Sequence, residues 1–305
     1  MGATVNKRSL QAYHGGAAVD TAVINGIAAG GLMSAQIDEG YDDIITAPHD
    51  GNNFPTTDRL TQFCRGTITS QDWINMLAVL NGTTGTYVFY EKESGAATVT
   101  KHTLVNPVIF SAAVSLGHRS HGSCAWSFEC KAADDTTGFA SGTTPFHQVD
   151  NGAAAPSAIT AKGRSLEMTA TTHSGNTINH VIGLDFTLAA QLVRASQDGD
   201  VGYTAVDKVY SGTPVSGTIT FQESIVSDGD TRPQVLLADD AADLVVTVKQ
   251  EQGGSNKTLT INDVMFTSLG ASYDSGTGYR THTMPFIVSP QSGVNFTSAT
   301  VITIA

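Results

Sequence analysis

Between residues 86 and 93 the side chains alternate. Tyr87, Phe89 and Glu91 fall on one side, and Val88, Tyr90 and Lys92 on the other. That two-residue period marks a strand with one wetter face, and Ser94-Gly95 supplies a turn into the next strand. The same reading places strands near 9–13, 22–35, 66–69, 97–107, 112–116 and 124–131. In the second half it gives Leu244 to Val248, a turn at Gly253-Gly254, and Thr258 to Ile261. Two stretches change to a helical period. Trp73, Leu77 and Leu80 share one helix face, Thr69 and Asp72 have the spacing of a capping box, and Asn81-Gly82 reads as a stop. The second candidate runs over 233–242, capped by Asp230 or Thr231, with Val235, Leu236 and Leu237 apolar. Each helix is expected to cover the apolar face of a β-sandwich or half-barrel.

The elements recur because the chain repeats itself. Gly66-Thr67-Ile68-Thr69, with Gln71 and Asp72, returns 151 residues later as Gly217-Thr218-Ile219-Thr220, with Gln222 and Glu223. Arg8-Ser9-Leu10 returns as Arg164-Ser165-Leu166, and Ile24-Asn25 as Ile178-Asn179. Ala35-Gln36-Ile37 returns as Ala190-Gln191-Leu192, and Asn106-Pro107-Val108-Ile109-Phe110 as Asn262-Asp263-Val264-Met265-Phe266. Residues 150–156, small and ending in Pro156, read as the seam. The expected organisation is therefore mainly β: a first domain over 1–150, a linker over 151–156 and a second domain over 157–305. Each domain is a β-sandwich or half-barrel with one flanking helix.

Composition fits this picture. Only 14% of the 305 residues are charged, and 31 Gly and 39 Thr fill the deficit. Glycine is costly in helix interiors and threonine favours strands. Forty per cent hydrophobic residues still suffice for a sizeable core. Sixteen basic and 28 acidic residues give a net charge of −12, divided equally with 8 basic and 14 acidic residues before and after the seam. That balance argues against gripping a nucleic-acid backbone, but not against enclosing one. No run approaches the ~18 apolar residues of a membrane span. The N-terminus lacks the apolar core of a secretory signal. Three cysteines do not make a disulfide framework, as suits a protein made in a reducing cytosol.

Candidate chemistry is sparse. His118, His121, Cys124 and Cys130 are zinc-ligand types at a spacing that matches no finger, so turn and strand residues are the simpler reading. The acidic pairs Asp42-Asp43, Asp134-Asp135 and Asp239-Asp240 lack the alternation of a calcium loop. No Gly-x-Ser-x-Gly elbow and no phosphate loop occur. No catalytic residue, metal or cofactor is expected. Two polar stretches stand out, because long loops usually carry function. The first, 38–62, contains Tyr41, Ile44, Ile45 and Phe54; the second, 197–212, contains Val201, Tyr203, Val209 and Tyr210. Aromatic and branched residues there suit docking to a partner.

The repeated Gly-Thr-Ile-Thr strand, with a long loop before it and a helix and hairpin after it, resembles the tail-tube proteins of long-tailed bacteriophages in their tandem-duplicated form. The resemblance implies a structural virion protein made in the host cytoplasm. Three chains would form a ring with pseudo-sixfold symmetry, and stacked rings would form a channel through which DNA passes unbound. It also implies tape-measure, terminator and baseplate proteins as partners, and the long loops as contacts between rings or subunits. A baseplate hub or distal tail ring, a capsid-decoration module and a glycan-binding β-sandwich are the alternatives. Copy number in the particle would separate a tube from a hub.

Overall fold

A computed structural model of the chain describes residues 8–9, 32–42, 44–48, 55–59, 61–79, 86–93, 98–132, 146–154, 166–196, 200–210, 213–224, 233–249, 256–274, 279–288 and 301–305. Residues 22–31 of the strand expected over 22–35, Phe54, Leu80 and the Ser94-Gly95 turn lie outside them. In the first half the strands are β1 (Arg8–Ser9), β2 (Leu32–Tyr41), β3 (Ile44–Pro48), β4 (Pro55–Arg59), β5 (Gln62–Ser70), β6 (Thr86–Glu93), β7 (Val99–Val105), β8 (Pro107–Gly117), β9 (Ser123–Cys130) and β10 (His147–Ala153), with helix α1 (Trp73–Val79) after β5. The second half has β11 (Glu167–His173), β12 (Asn176–Thr177), β13 (Val181–Ala189), β14 (Gln191–Ala195), β15 (Ala205–Val209) and β16 (Val215–Ser224). Helix α2 (Pro233–Ala238), β17 (Ala242–Lys249), β18 (Asn256–Phe266), β19 (Gly270–Asp274), β20 (Tyr279–Val288) and β21 (Ile302–Ile304) follow. The protein is mainly β, with antiparallel sheets.

One run of strands organises the fold: β2-β5-β9-β8-β13-β16-β20, with β19 added beyond β20. It consists of four strands from the first half and four from the second, joined where β8 pairs with β13 from Gly117↔Gly183 to Ser111↔Ala189. The two sets repeat one another residue for residue. Gln36 lies opposite Thr67 and Ile37 opposite Gly66, as Asp185 lies opposite Thr218 and Phe186 opposite Gly217. Both ladders slip at the same point, between Leu32 and Ser34 and between Val181 and Gly183. On the far side Gly66 faces Phe128 and Gly217 faces Phe286. The structural counterpart of Ala35-Gln36-Ile37 is therefore Leu184-Asp185-Phe186. The similar string Ala190-Gln191-Leu192 instead leads into β14.

The repeated glycine has a steric cause. A Cβ on Gly66 would collide with the backbone oxygen of Gln36, and one on Gly217 would lie 2.5 Å from the backbone oxygen of Asp185. These two oxygens occupy equivalent positions, so in both halves the neighbouring strand comes too close for any side chain. A second shared feature is a left-handed residue, Asn106 at φ 47° and Asp263 at φ 54°. Each marks the bend where the chain leaves the covering strands (β6 and β7 in the first half, β17 and the start of β18 in the second) and enters the main run. Asn and Asp tolerate that conformation better than other non-glycine residues.

The inner face of the run packs against a covering layer and the helices. Trp126 is buried and donates its indole N–H to the Met76 carbonyl in the middle of α1, 3.0 Å away. Trp73, Met76 and Leu77 are buried on the same helix. Its start is capped by Ser70, whose Oγ accepts the Asp72 N–H at 3.0 Å. Helix α2 is shorter than its sequence suggests, because Ala242 already belongs to β17. Leu236 is buried there, while Val235 and Leu237 are 43% and 39% exposed. One buried apolar cluster extends across the β8–β13 junction, through Val114, Leu116, Leu184 and Phe186.

Candidate assembly surface

The stretch over 38–62 is largely extended chain. Asp38 to Tyr41 continue β2, β3 and β4 form a hairpin, and Gln62 opens β5. Residues 197–212 likewise hold β15, which pairs with β14 from Gln191↔Val209 to Ala195↔Ala205. Threonine, serine and glycine made these segments look like loops, but edge strands tolerate the same residues. Tyr41 is half-buried in β2, and Ile44 and Ile45 are backbone positions in β3. Val209 is 47% exposed on β15, and Tyr210 packs against the core.

Val201 and Tyr203 touch the first half of their own chain. The Gln62 N–H donates to the Val201 carbonyl at 2.9 Å, and the Ala132 N–H to the Tyr203 carbonyl at 2.9 Å. The Tyr203 hydroxyl donates to Asp42 at 3.1 Å, and the other oxygen of that carboxylate holds Arg65 at 3.2 Å. The strongest link is Arg194 on β14, which donates Nε and Nη2 to the two oxygens of Glu129 at 2.6 and 2.7 Å. Glu129 is fully buried, while the Arg194 side chain keeps 32% of its exposure. The hydrogen bond to Glu129 raises the Arg194 pKa above its usual value. Two short, bidentate, charge-assisted bonds make this pair the main anchor of the β14–β15 hairpin.

The outer face of the run has an unusual surface. One row of ladder partners reads Ser34, Thr69, Ala125, Ala113, Thr187, Ser216 and Ile287, and the next includes Ser123, Ser115, Asp185, Thr218 and Pro285. Around the β8–β13 junction this face forms an open, shallow concavity of about 640 Å³. Its side chains are short and mostly uncharged. Its charged residues include exposed Asp38 and Asp185, half-buried Arg65, which Asp42 holds, and buried Glu129 opposite Arg65, which Arg194 holds. Such a wall is smooth, and its guanidiniums Arg65 and Arg194 are each held by a carboxylate, Asp42 and Glu129.

No protein-family model matches the chain, and no curated protein matches it in sequence.

Among the described residues no three His, Cys, Asp or Glu side chains converge as a metal site would require. His118 accepts the Met168 N–H at Nδ1, 3.2 Å away, in the turn that receives the start of the second half. His121 is exposed. Cys124 and Cys130 are buried, and burial pushes the Cys124 thiol up to about 12. The Cys130 thiol is also raised above its usual value, by burial and then by Cys64 beside it. Such thiols are inert at neutral pH. A second polar cluster lies near the base of β2. His102 and His147 stack and share a 3.0 Å hydrogen bond, the N–H of one ring donating to the bare nitrogen of the other. Burial, and then the neighbouring His102, lowers the His147 pKa. Sequence reasoning missed Glu129 and Arg194. Their only signal was a carboxylate at an alternating position among the apolar residues of β9.

Proposed function

We propose that the chain is the subunit of a bacteriophage tail tube, three copies closing a ring and rings stacking around a channel for DNA. One observation carries the reading: a run of two equivalent four-strand units, joined β8 to β13, whose outer strands β2 and β19 have no partner on their far edges among the described residues and are of the same kind as the strands already joined. Head-to-tail contacts between such ends produce rings or filaments, and closure removes edge strands that would otherwise aggregate. In this reading the Ser/Thr/Ala face lines the channel. Asp38 and Asp185 repel phosphates there, and the short side chains leave DNA nothing to hold. The β3–β4 hairpin is then the element that reaches a neighbouring subunit or ring.

Negative-stain electron microscopy of the purified protein, across concentrations and salts, tests it. Ring stacks or short tubes with an open channel are expected. Compact monomers throughout would overturn the assignment. In whole particles the protein should be present in hundreds of copies; a handful would shift the reading to a hub.

A further inference from the structure

Among the described residues, no strand pairs with the outer edge of β2 or of β19. Each has a counterpart that is paired. β2 repeats β13, because both flank the Gly-Thr-Ile-Thr strand in the same register. β19 repeats the end of β8, which is shown by following β9 and β20 outward from Phe128 and Phe286. Ala113 and Val114 then face Ala125 and Cys124, as Gly270 and Ala271 face Thr283 and His282. The joint inside the chain is therefore a template for one between chains.

We infer that β2 of one chain adds, antiparallel, to β19 of a second copy, with Ser34 opposite Asp274, Ala35 opposite Tyr273, Gln36 opposite Ser272, Ile37 opposite Ala271 and Asp38 opposite Gly270. This register is the one in which Gly183 meets Gly117 and Phe186 meets Val114 at the internal joint. The pairing rests on the self-assembling reading above, and continues a sheet that already crosses the β8–β13 interface.

Burial at the two joints supports it. Leu116 is 1% exposed at the filled joint, whereas its counterpart Tyr273 is 70% exposed. Leu184 and Phe186 are buried, while their counterparts Ala35 and Ile37 are only half-covered. A large aromatic next to an uncovered strand edge leaves apolar surface for a partner to bury. The inferred ladder sets Tyr273 against the small Ala35, and Ile37 against the small Ala271. Neither Asp38 nor Asp274 meets another carboxylate, the arrangement that would penalise a cross-strand pair.

The ion pair indicates which unit of the second copy docks. Ile287 occupies the position of Glu129, since each follows the phenylalanine opposite the repeated glycine. A second-half unit placed on β19 would bring Arg194 to Ile287 without a carboxylate. That joint would lack the two charge-assisted bonds that anchor the β14–β15 hairpin at the internal one. In every copy β13 already pairs with its own β8, so β2 is the edge that remains.

The test is cysteine cross-linking of the full-length chain, with the native cysteines retained because all three are buried. A Gln36→Cys/Ser272→Cys variant places thiols opposite each other across the inferred joint. An Asp38→Cys/Asp274→Cys variant places them four residues out of register, beyond the ~7 Å Cα separation a disulfide tolerates. After oxidation with diamide, the first should give covalent multimers at least about ten-fold more abundant than the second. Comparable cross-linking in both, or preference for the second, would overturn the register. Rings seen by microscopy with no 36–272 bond would overturn this pairing and leave the tube assignment standing. Covalent multimers that never form rings or tubes would support the pairing and remove the tube. Monomers without cross-links under every condition would overturn both.

Discussion

Replacing Arg194 with methionine keeps much of the apolar stem but removes both hydrogen bonds to a carboxylate with no solvent exposure. Losing one partner of a buried ion pair costs about 3–5 kcal/mol, because the other is left desolvated and uncompensated. Arg194 retains 32% side-chain exposure, so water screens part of the attraction and the lower end, about 3 kcal/mol, applies. For a chain of this size that corresponds to about 6–12 °C in melting temperature. Glu129→Gln should cost less, about 1 kcal/mol, because the guanidinium it leaves can rehydrate. The double variant Glu129→Met/Arg194→Met should regain about 2 kcal/mol of the Arg194→Met loss. Thermal melts of the three variants give the coupling. Hydrogen exchange locates it: the Gln62 and Ala132 amides donate to Val201 and Tyr203, so undocking the hairpin should speed their exchange while the β5–β9 ladder stays protected. If Arg194→Met and the double variant melt within about 0.5 kcal/mol of each other, or those two amides stay unchanged, the pair does not anchor the hairpin.

Other outcomes follow from the same geometry. Gly66→Ala should cost about 3 kcal/mol or prevent soluble folding, since its Cβ meets a backbone oxygen that cannot rotate away; an unchanged melt would show that the strands can separate there. Tyr273→Asp should leave the monomer's melt within about 0.5 kcal/mol of the parent, because the ring is 70% exposed. The same variant should abolish multimers in sedimentation velocity, and persistence of the parent's assemblies would count against the β19 edge. Leu116→Asp, at the filled position, should unfold the protein. For pH, the His147 pKa is lowered in the fold, so the unfolded chain takes up its proton first. The resulting stability is present above the usual value of 6.5 and is lost as pH falls from there through the folded pKa. Melting temperature should therefore drop between pH 7 and pH 6, and His147→Asn should flatten that drop. Glu39, whose pKa burial raises, pulls in the opposite direction on the acid side.

Much of the secondary structure was legible because strand periodicity is local. Tyr87 and Phe89 lie in β6 as read, and the Trp73/Leu77 spacing marks α1; but Val88 and Tyr90 are buried as well, so β6 lacks the wetter face its alternation suggested, because it is covered on both sides over 87–90. The tail of β2 and the two hairpins were not legible. Their threonines, serines and glycines suit a turn or an edge strand equally well, and only a partner strand distinguishes the two. Asp38 to Tyr41 are extended because Phe63, Cys64 and Arg65 lie opposite them. Glu129 and Arg194 are 65 residues apart, and neither neighbourhood announces the other.

The sequence alone determined that this chain makes strands and that it does so twice. Alternation and turn residues act over a few neighbours, so they are readable before any strand finds its partner; the need for glycine at 66 and 217 is not, because it comes from the Gln36 and Asp185 carbonyls of the adjacent strands. Tertiary structure decided which edges meet. Pairing β8 with β13 buries Leu116 and Leu184 at one joint and leaves Tyr273 and Ile37 uncovered at the other. That asymmetry comes from counting strand edges: two units joined once have two edges left over.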